Sequence, residues 1–126
     1  EMKCHGRRQG EAASALAAQL GGYDLSALMV SSFDAAFLAA VRTTMPDLPR
    51  ALIVEQRPEN WRDMAVQLDL EALHLDHGIV TPQMVDDIHA AGMKCRVYTV
   101  NTAEDMARML EAGVDTIITD LPEAFL

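Results

Sequence analysis

The sequence predicts an α/β fold whose strands run parallel. Apolar runs of strand length alternate with segments of helical periodicity along all 126 residues. The βα units follow one another without a linker or a low-complexity segment. Short units of this kind require a parallel sheet with right-handed crossovers, because each helix returns the chain to the same edge of the sheet. We therefore predict a single domain over residues 1–126.

The predicted strands are short apolar runs that end in polar or turn-forming residues. The run "CRVYTV" at residues 95–100 is typical, since it passes directly into Asn101 and a helix-starting segment. Each such run is followed by a segment long enough for a crossover helix. We predict six strands, over about residues 1–4, 28–32, 51–54, 72–75, 95–100 and 116–119.

The helices between these strands have recognisable boundaries. Thr81 precedes Pro82, a residue favoured at the first helical position. Thr102 opens the fifth helix with a capping box that reaches Asp105, and Gly113 ends it. The other helices are bounded by turn formers and caps: the first ends at Gly21 and Gly22, the second lies between Phe33 and Pro46, and the third follows Asn60.

Composition excludes several classes of partner. Half of the residues are hydrophobic, which suits an ordered globular domain, and the formal net charge is -9. Such a charge repels nucleic acid and anionic membrane surfaces, so we expect neither as a partner. Cys4 and Cys95 are too few for a disulfide framework, which favours a reducing, cytoplasmic location. The sequence begins at Glu1 rather than at a methionine, and we expect residues to precede it.

Two parallel architectures compete for this pattern. An open, doubly wound sheet suits a chain of this length, whereas a (β/α)8 barrel typically needs about 250 residues. Polar residues nevertheless follow nearly every predicted strand, which is typical of the mouth of a barrel. In an open, doubly wound sheet they would be expected at a single switch point in the strand order. These strand-end residues are Glu1, Lys3, Ser31, Ser32, Glu55, Arg57, His74, Asp76, Asn101 and Asp120.

Four stretches of the sequence together resemble one enzyme family. "VYTVN" at residues 97–101 and "GVDTIITDLP" at residues 113–122 are similar to the last two βα units of the glycerophosphodiester phosphodiesterases. "SSFD" at residues 31–34 and "EMK" at residues 1–3 extend the resemblance to the whole chain. The resemblance implies a TIM-type (β/α)8 barrel, here incomplete, with about six βα units and without the first two strands.

The resemblance also implies a reaction. Glycerophosphodiester phosphodiesterases are metal-dependent hydrolases of glycerol and lipid metabolism that release sn-glycerol 3-phosphate and an alcohol. The family's His-Arg-Gly strand and its acid and base histidines would precede Glu1, and His5, His74, His77 and His89 do not match them. The chain by itself is therefore expected to be inactive, and its open strand edges favour a homo-oligomer.

Five residues carry over from the family to this sequence. Glu1 matches a metal-binding carboxylate, whose oxygen atoms suit Mg²⁺ or Ca²⁺. Lys3 matches a catalytic lysine, whose ammonium can neutralise charge developing on phosphoryl oxygens. Phe33 and Tyr98 correspond to aromatic substrate-binding positions, although the family more often has Trp where Tyr98 stands. Asn101 would lie at the rim of the substrate pocket.

Four of these residues also have a plain structural interpretation. Glu1 and Lys3 could simply start a strand, Phe33 could be a core residue, and Asn101 could bond the backbone beside the Thr102 cap. Two other functions also stay open for the whole protein. One is a barrel that binds a phosphoester without turnover, and the other is an open-sheet signalling domain of flavodoxin type.

Overall fold

The computed structural model describes residues 1–4, 6 and 8–125, which form two compact units. The first unit comprises Glu1–Ile53 and Asn60–Glu71, and the second comprises Val54–Glu59 and Ala72–Leu126. Helices and strands alternate along the chain, and short 3-10 turns follow some of them. The helices are α1 (Gln9–Leu20), α2 (Ala35–Thr44), α3 (Trp61–Leu68), α4 (Pro82–Ala90) and α5 (Ala103–Ala112); the strands are β1 (Val30–Ser32), β2 (Arg50–Val54), β3 (Ala72–Asp76), β4 (Lys94–Tyr98) and β5 (Thr116–Ile117).

The first unit is built on a parallel pair of strands. Strand β1 pairs with β2 in a register that places Val30 opposite Arg50 and Ser32 opposite Leu52. Helix α2 packs against β1 and against α1, so its apolar side lies in the interior. The buried side chains of α2 are Phe37, Leu38 and Val41.

A buried arginine ties the start of β2 to the ends of two helices. The Arg50 side chain is 2 % exposed. Its guanidinium donates to the carbonyl oxygens of Leu48 at 2.8 Å and Leu68 at 2.9 Å, and to a carboxylate oxygen of Asp69 at 2.8 Å. Further bonds reach the carbonyls of Met45 and Pro46. Helix-end carbonyls that would otherwise lack partners are thereby satisfied.

The second unit contains a three-stranded parallel sheet in the order β3, β4, β5. Leu73 and Leu75 alternate with His74 along β3, and Cys95 and Val97 are completely buried on β4. Helix α4 packs on β4 and also contacts α5. One face of this sheet is therefore covered by helices.

The helix boundaries of the second unit follow the sequence prediction. Thr81 Oγ1 accepts from the backbone N–H of Met84 at 3.3 Å. Thr102 Oγ1 accepts from Asp105 N–H at 3.1 Å, and Gly113 ends α5 in the left-handed conformation with φ 80°. A residue with a side chain would be strained at that φ, which explains the glycine.

Two local predictions need correction. Residues 1–4 are not a β-strand, because the segment has one strand-like bond, from Met2 N–H to the Ser31 carbonyl at 2.8 Å, in place of a ladder. Five strands rather than six therefore form in the described residues. Asn60 precedes α3 as predicted, but its side chain makes no capping hydrogen bond. In the part of the chain that the structure describes, no helix is long and apolar enough to cross a membrane.

Candidate functional site

Three of the predicted site residues line one cavity in the first unit. Glu1, Lys3 and Phe33 lie around a space of about 340 Å³ beyond the carboxyl end of β1. Glu1 and Lys3 are exposed, so both charged groups reach solvent in this cavity. The remaining lining residues are Met2, Cys4, Ser32 and Asp34. The structure therefore brings the predicted metal ligand and the predicted catalytic lysine together.

Phe33 belongs to the cavity wall and not to the core. Its side chain is 50 % exposed, although it directly follows the buried Ser32. The chain turns sharply after Phe33 because Asp34 caps α2, with Oδ1 accepting from Phe37 N–H at 3.0 Å. The plain core interpretation of Phe33 is thereby excluded, and an apolar ring stands at the cavity edge.

The carboxylates of this cavity do not form a metal centre by themselves. A Mg²⁺ or Ca²⁺ ion takes six or more oxygen ligands, some of them water. Asp34 is engaged at both oxygens, by Phe37 N–H and by Gln9 Nε2, which leaves Glu1 as the cavity's open carboxylate. Across residues 1–4, 6 and 8–125, no group of three or more His, Cys, Asp or Glu side chains could hold a metal ion. The described residues alone therefore do not make a complete metal site.

Tyr98 lies at the end of β4 in the second unit. Its side chain is partly buried, and its hydroxyl donates to the carbonyl oxygen of Val54 at 3.1 Å. The hydrogen bond fixes the orientation of the ring at the carboxyl end of the strand. The structure thus gives Tyr98 a defined position, while its predicted contact with a substrate stays a prediction.

Asn101 joins the segment after β4 to the segment after β5. Its Oδ1 accepts from Asp120 N–H at 3.0 Å and from Thr119 Oγ1 at 3.1 Å. Its Nδ2 donates to Asp120 Oδ2 at 3.1 Å. The amide is exposed, and both its oxygen and its nitrogen take part in these bonds. Asn101 therefore bonds a segment almost twenty residues away, and not the backbone beside Thr102 as its structural interpretation assumed.

A second group of charged side chains surrounds the turn after β3. Arg108 donates to Asp105 Oδ1 at 2.9 Å and to the carbonyl oxygen of His77 at 3.1 Å. Arg108 Nη2 also lies 3.2 Å from His77 Nδ1. The hydrogen bonds from Arg108 and Thr102 lower the pKa of the Asp105 carboxyl. This network clamps α5 to the turn.

His74 stands apart from these clusters. It is 7 % exposed, and among the described residues no group hydrogen-bonds to its Nε2. Burial, assisted by the charge of Arg96 opposite it on β4, lowers the pKa of His74 to about 4. The imidazole is therefore neutral at pH 7. His74, Asp76 and His77 have the residue types of a metal site, but no group of side chains in the described part of the chain is arranged to hold a metal ion. Asp76 Oδ1 instead accepts from Gly78 N–H at 2.7 Å.

Sequence reasoning missed the hydrogen bonds that hold the cavity together. Ser32 Oγ donates to the Met2 carbonyl oxygen at 2.7 Å, and Gln9 Nε2 donates to Asp34 at 3.2 Å. Asp34 was visible as a helix cap because it precedes the Ala-rich start of α2. The bonds of Ser32 and Gln9 had no such signal, since their partners lie 30 and 25 residues away along the chain.

The fold and the cavity define a parallel α/β protein with polar groups beyond the carboxyl ends of its strands. A profile of the Glycerophosphoryl diester phosphodiesterase family matches residues 4–124. The chain belongs to that family. A glycerophosphodiester phosphodiesterase from Caldanaerobacter subterraneus subsp. tengcongensis is 35 % identical over 100 residues, which cover 79 % of this chain and 41 % of the relative.

Solved structures agree with this assignment. An Oleispira antarctica phosphodiesterase in complex with the product sn-glycerol-3-phosphate matches with a TM-score of 0.86 and 27 % identity, over 96 % of this chain and 49 % of that one. A Parabacteroides distasonis glycerophosphodiester phosphodiesterase matches with a TM-score of 0.84 and 22 % identity, over 96 % of this chain and 52 % of that one. The chain thus spans about half the length of these proteins and has the fold of an incomplete TIM-type barrel, which excludes the open-sheet alternative.

Proposed function

We propose that the complete protein containing this chain hydrolyses glycerophosphodiesters and releases sn-glycerol 3-phosphate and an alcohol. The observation that carries the proposal is the cavity after β1, where Glu1 and Lys3 lie beside the ring of Phe33. A phosphodiester is an anion attached to apolar carbon, so it needs a cation and an apolar surface close together. The family match over residues 4–124 supports this substrate class.

Lys3 is the residue of this chain that we assign to the chemical step. Its ammonium would neutralise negative charge that develops on the phosphoryl oxygens as the bond to the alcohol breaks. Phe33, half exposed at the cavity edge, would contact the carbon atoms of the glycerol group. Both side chains line the same cavity of the first unit, which is what a shared role requires.

Tyr98 and Asn101 are proposed to bind substrate in more limited ways. The Tyr98 hydroxyl donates to Val54, so the ring face is the part that would contact a glycerol group. The Asn101 amide is held by Thr119 and Asp120, so it would act by shaping the rim. These roles follow the family resemblance, and the observed hydrogen bonds restrict what each side chain can contribute.

A requirement for Mg²⁺ or Ca²⁺ is also proposed, with Glu1 as one ligand. The support is the open carboxylate of Glu1 on the cavity, together with the preference of these ions for oxygen ligands. The rest of the ligand set, and the acid and base histidines, would come from sequence before residue 1. We therefore expect residues 1–126 by themselves to be inactive, and copies of this chain to associate through open strand edges. A cytoplasmic location is proposed because Cys4 and Cys95 are free.

The proposal is tested with the complete encoded protein and glycerophosphocholine, by measuring sn-glycerol 3-phosphate release. We expect Lys3→Met to lower kcat/KM by about 100-fold or more, as loss of a charge-stabilising group typically does. Lys94→Met is the matched control, because Lys94 lies at the amino end of β4, where it pairs with Asp115. The kcat/KM of this variant should stay within about twofold of wild type. Chelation should abolish turnover, and Mg²⁺ or Ca²⁺ should restore it.

Two outcomes would contradict the proposed function. Absence of turnover with several glycerophosphodiesters, combined with thermal stabilisation by sn-glycerol 3-phosphate, would indicate a barrel that binds phosphoesters without hydrolysing them. Equal losses in Lys3→Met and Lys94→Met would show that the effect of the first variant is not specific to the cavity.

A further inference from the structure

The hydroxyl of Ser32 is buried and has two hydrogen bonds. The side chain is 1 % exposed. Its Oγ donates to the carbonyl oxygen of Met2 at 2.7 Å and accepts from the backbone N–H of Asp34 at 3.1 Å. With its proton already committed to Met2, the hydroxyl is poorly placed to attack a substrate. It instead connects the end of β1 to the segment that carries Glu1 and Lys3.

The two bonds at Met2 fix the peptide groups on both of its sides. The Met2 N–H belongs to the peptide that follows Glu1, and it donates to the Ser31 carbonyl at 2.8 Å. The Met2 carbonyl belongs to the peptide that precedes Lys3, and it accepts from Ser32. Because both peptide planes are held, the Cα atoms of Glu1 and Lys3, which lie in these planes, are also held in place beside the cavity.

A second connection holds the same segment further along the chain. Gln9, the first residue of α1, donates from Nε2 to the Gly6 carbonyl at 3.1 Å and to Asp34 Oδ2 at 3.2 Å. Asp34 is itself held by its cap of α2 and by its N–H bond to Ser32. The segment from Glu1 to Gln9 is therefore attached to the β1–α2 turn at two points.

We propose that Ser32 is a positioning residue, which sets the placement of Glu1 and Lys3 by holding the Met2 carbonyl. The inference rests on the proposed phosphodiesterase function, but its physical core concerns only the backbone of residues 1–3. Loss of the Ser32 hydroxyl leaves the Met2 carbonyl without its donor and allows the flanking peptides to rotate. A displacement of about 1 Å at a catalytic group can cost about 100-fold in rate.

The first test is kinetic and uses the complete protein. We expect Ser32→Ala to lower kcat/KM by about 10- to 100-fold, and Ser32→Thr, which keeps the hydroxyl, to recover most of the loss. Ser31→Ala is the matched control, because Ser31 contacts Met2 through its backbone carbonyl and not through its side chain. If Ser32→Ala does not fold, Ser32→Cys weakens the same bond with a smaller change and should give an intermediate loss.

A double variant separates positioning from general damage. If Ser32 acts through Glu1 and Lys3, then Ser32→Ala should cost clearly less in the Lys3→Met background than in wild type, because one of the two groups that it positions is already gone. A purely structural role would multiply the two losses. Multiplied losses, or a Ser32→Ala variant with wild-type kcat/KM, would overturn the proposal.

The second test does not depend on activity. Hydrogen exchange of the Met2 amide should accelerate by at least about tenfold in Ser32→Ala and stay unchanged in Ser31→Ala. If wild type has no phosphodiesterase activity but this exchange pattern is found, the proposed function fails while the Ser32 contact is supported. Unchanged exchange in Ser32→Ala would refute the positioning role even in an active enzyme.

Discussion

Acidification should destabilise this protein through one histidine. Burial, with help from the neighbouring Arg96, lowers the pKa of His74 from its usual 6.5 to about 4 in the folded state. An unfolded chain exposes the same imidazole to water, so it takes up a proton near pH 6.5 while the folded chain does not. The unfolded state therefore binds more protons between pH 6.5 and pH 4. Stability must fall as the pH drops through this window.

The size of the effect follows from the width of that window. Each unit by which the pH falls between the two pKa values of His74 lowers the free energy of unfolding by about 1.4 kcal/mol. Lowering the pH from 7 to 5 crosses about one and a half of these units, so the loss at pH 5 should be about 2 kcal/mol. The carboxylates with lowered pKa values are Asp24, Asp105 and Asp115. They lose their contribution to stability as the pH falls below the usual Asp value of 3.8, which lies below the interval from pH 7 to pH 5.

The measurement is urea unfolding of the complete protein at pH 7 and at pH 5, followed by circular dichroism. In His74→Leu the pH-dependent loss should shrink to less than about 0.5 kcal/mol, because no titrating group remains at that buried site. His89→Gln is the control, since it replaces a half-exposed histidine and leaves His74 intact, so the loss of about 2 kcal/mol should persist. An equal pH dependence in wild type and His74→Leu would refute the reasoning.

Two further predictions concern the core and the thiols. Arg50→Met should lower the free energy of unfolding by about 3 to 5 kcal/mol, because it leaves buried carbonyl groups without donors. The control Arg42→Met, which replaces an exposed arginine, should lower it by less than about 1 kcal/mol. Urea unfolding measures both variants, and similar losses would contradict the role of Arg50. Cys4, which lines the cavity, should react with a thiol reagent in the native protein, while Cys95 should react only after unfolding, because burial raises the pKa of its thiol to about 11. Mass spectrometry of the labelled peptides reads the result, and fast native labelling of Cys95 would show that its site is open.

Some of the site was predictable because its signals are short-range or belong to a family motif. Glu1, Lys3 and Phe33 were identified by resemblance, and the structure places them around one cavity. The prediction of a β-strand over residues 1–4, which carry Glu1 and Lys3, was wrong, because these residues lack a strand ladder. The bonds that Ser31 and Ser32 make to Met2 instead hold this segment against the end of β1.

The sequence by itself determined the alternation of strands and helices and the caps of the later helices. Thr102 bonds Asp105 within one turn, and Gly113 is needed for the local backbone angle, so both follow from residues close in the chain. Only the tertiary structure decided which polar groups are buried and which are paired. Ser32 meets Met2 across 30 residues, and Arg50 meets the end of α3 across 18 or 19. Burial and long-range pairing depend on how whole elements pack, and no local pattern of residue types encodes that packing.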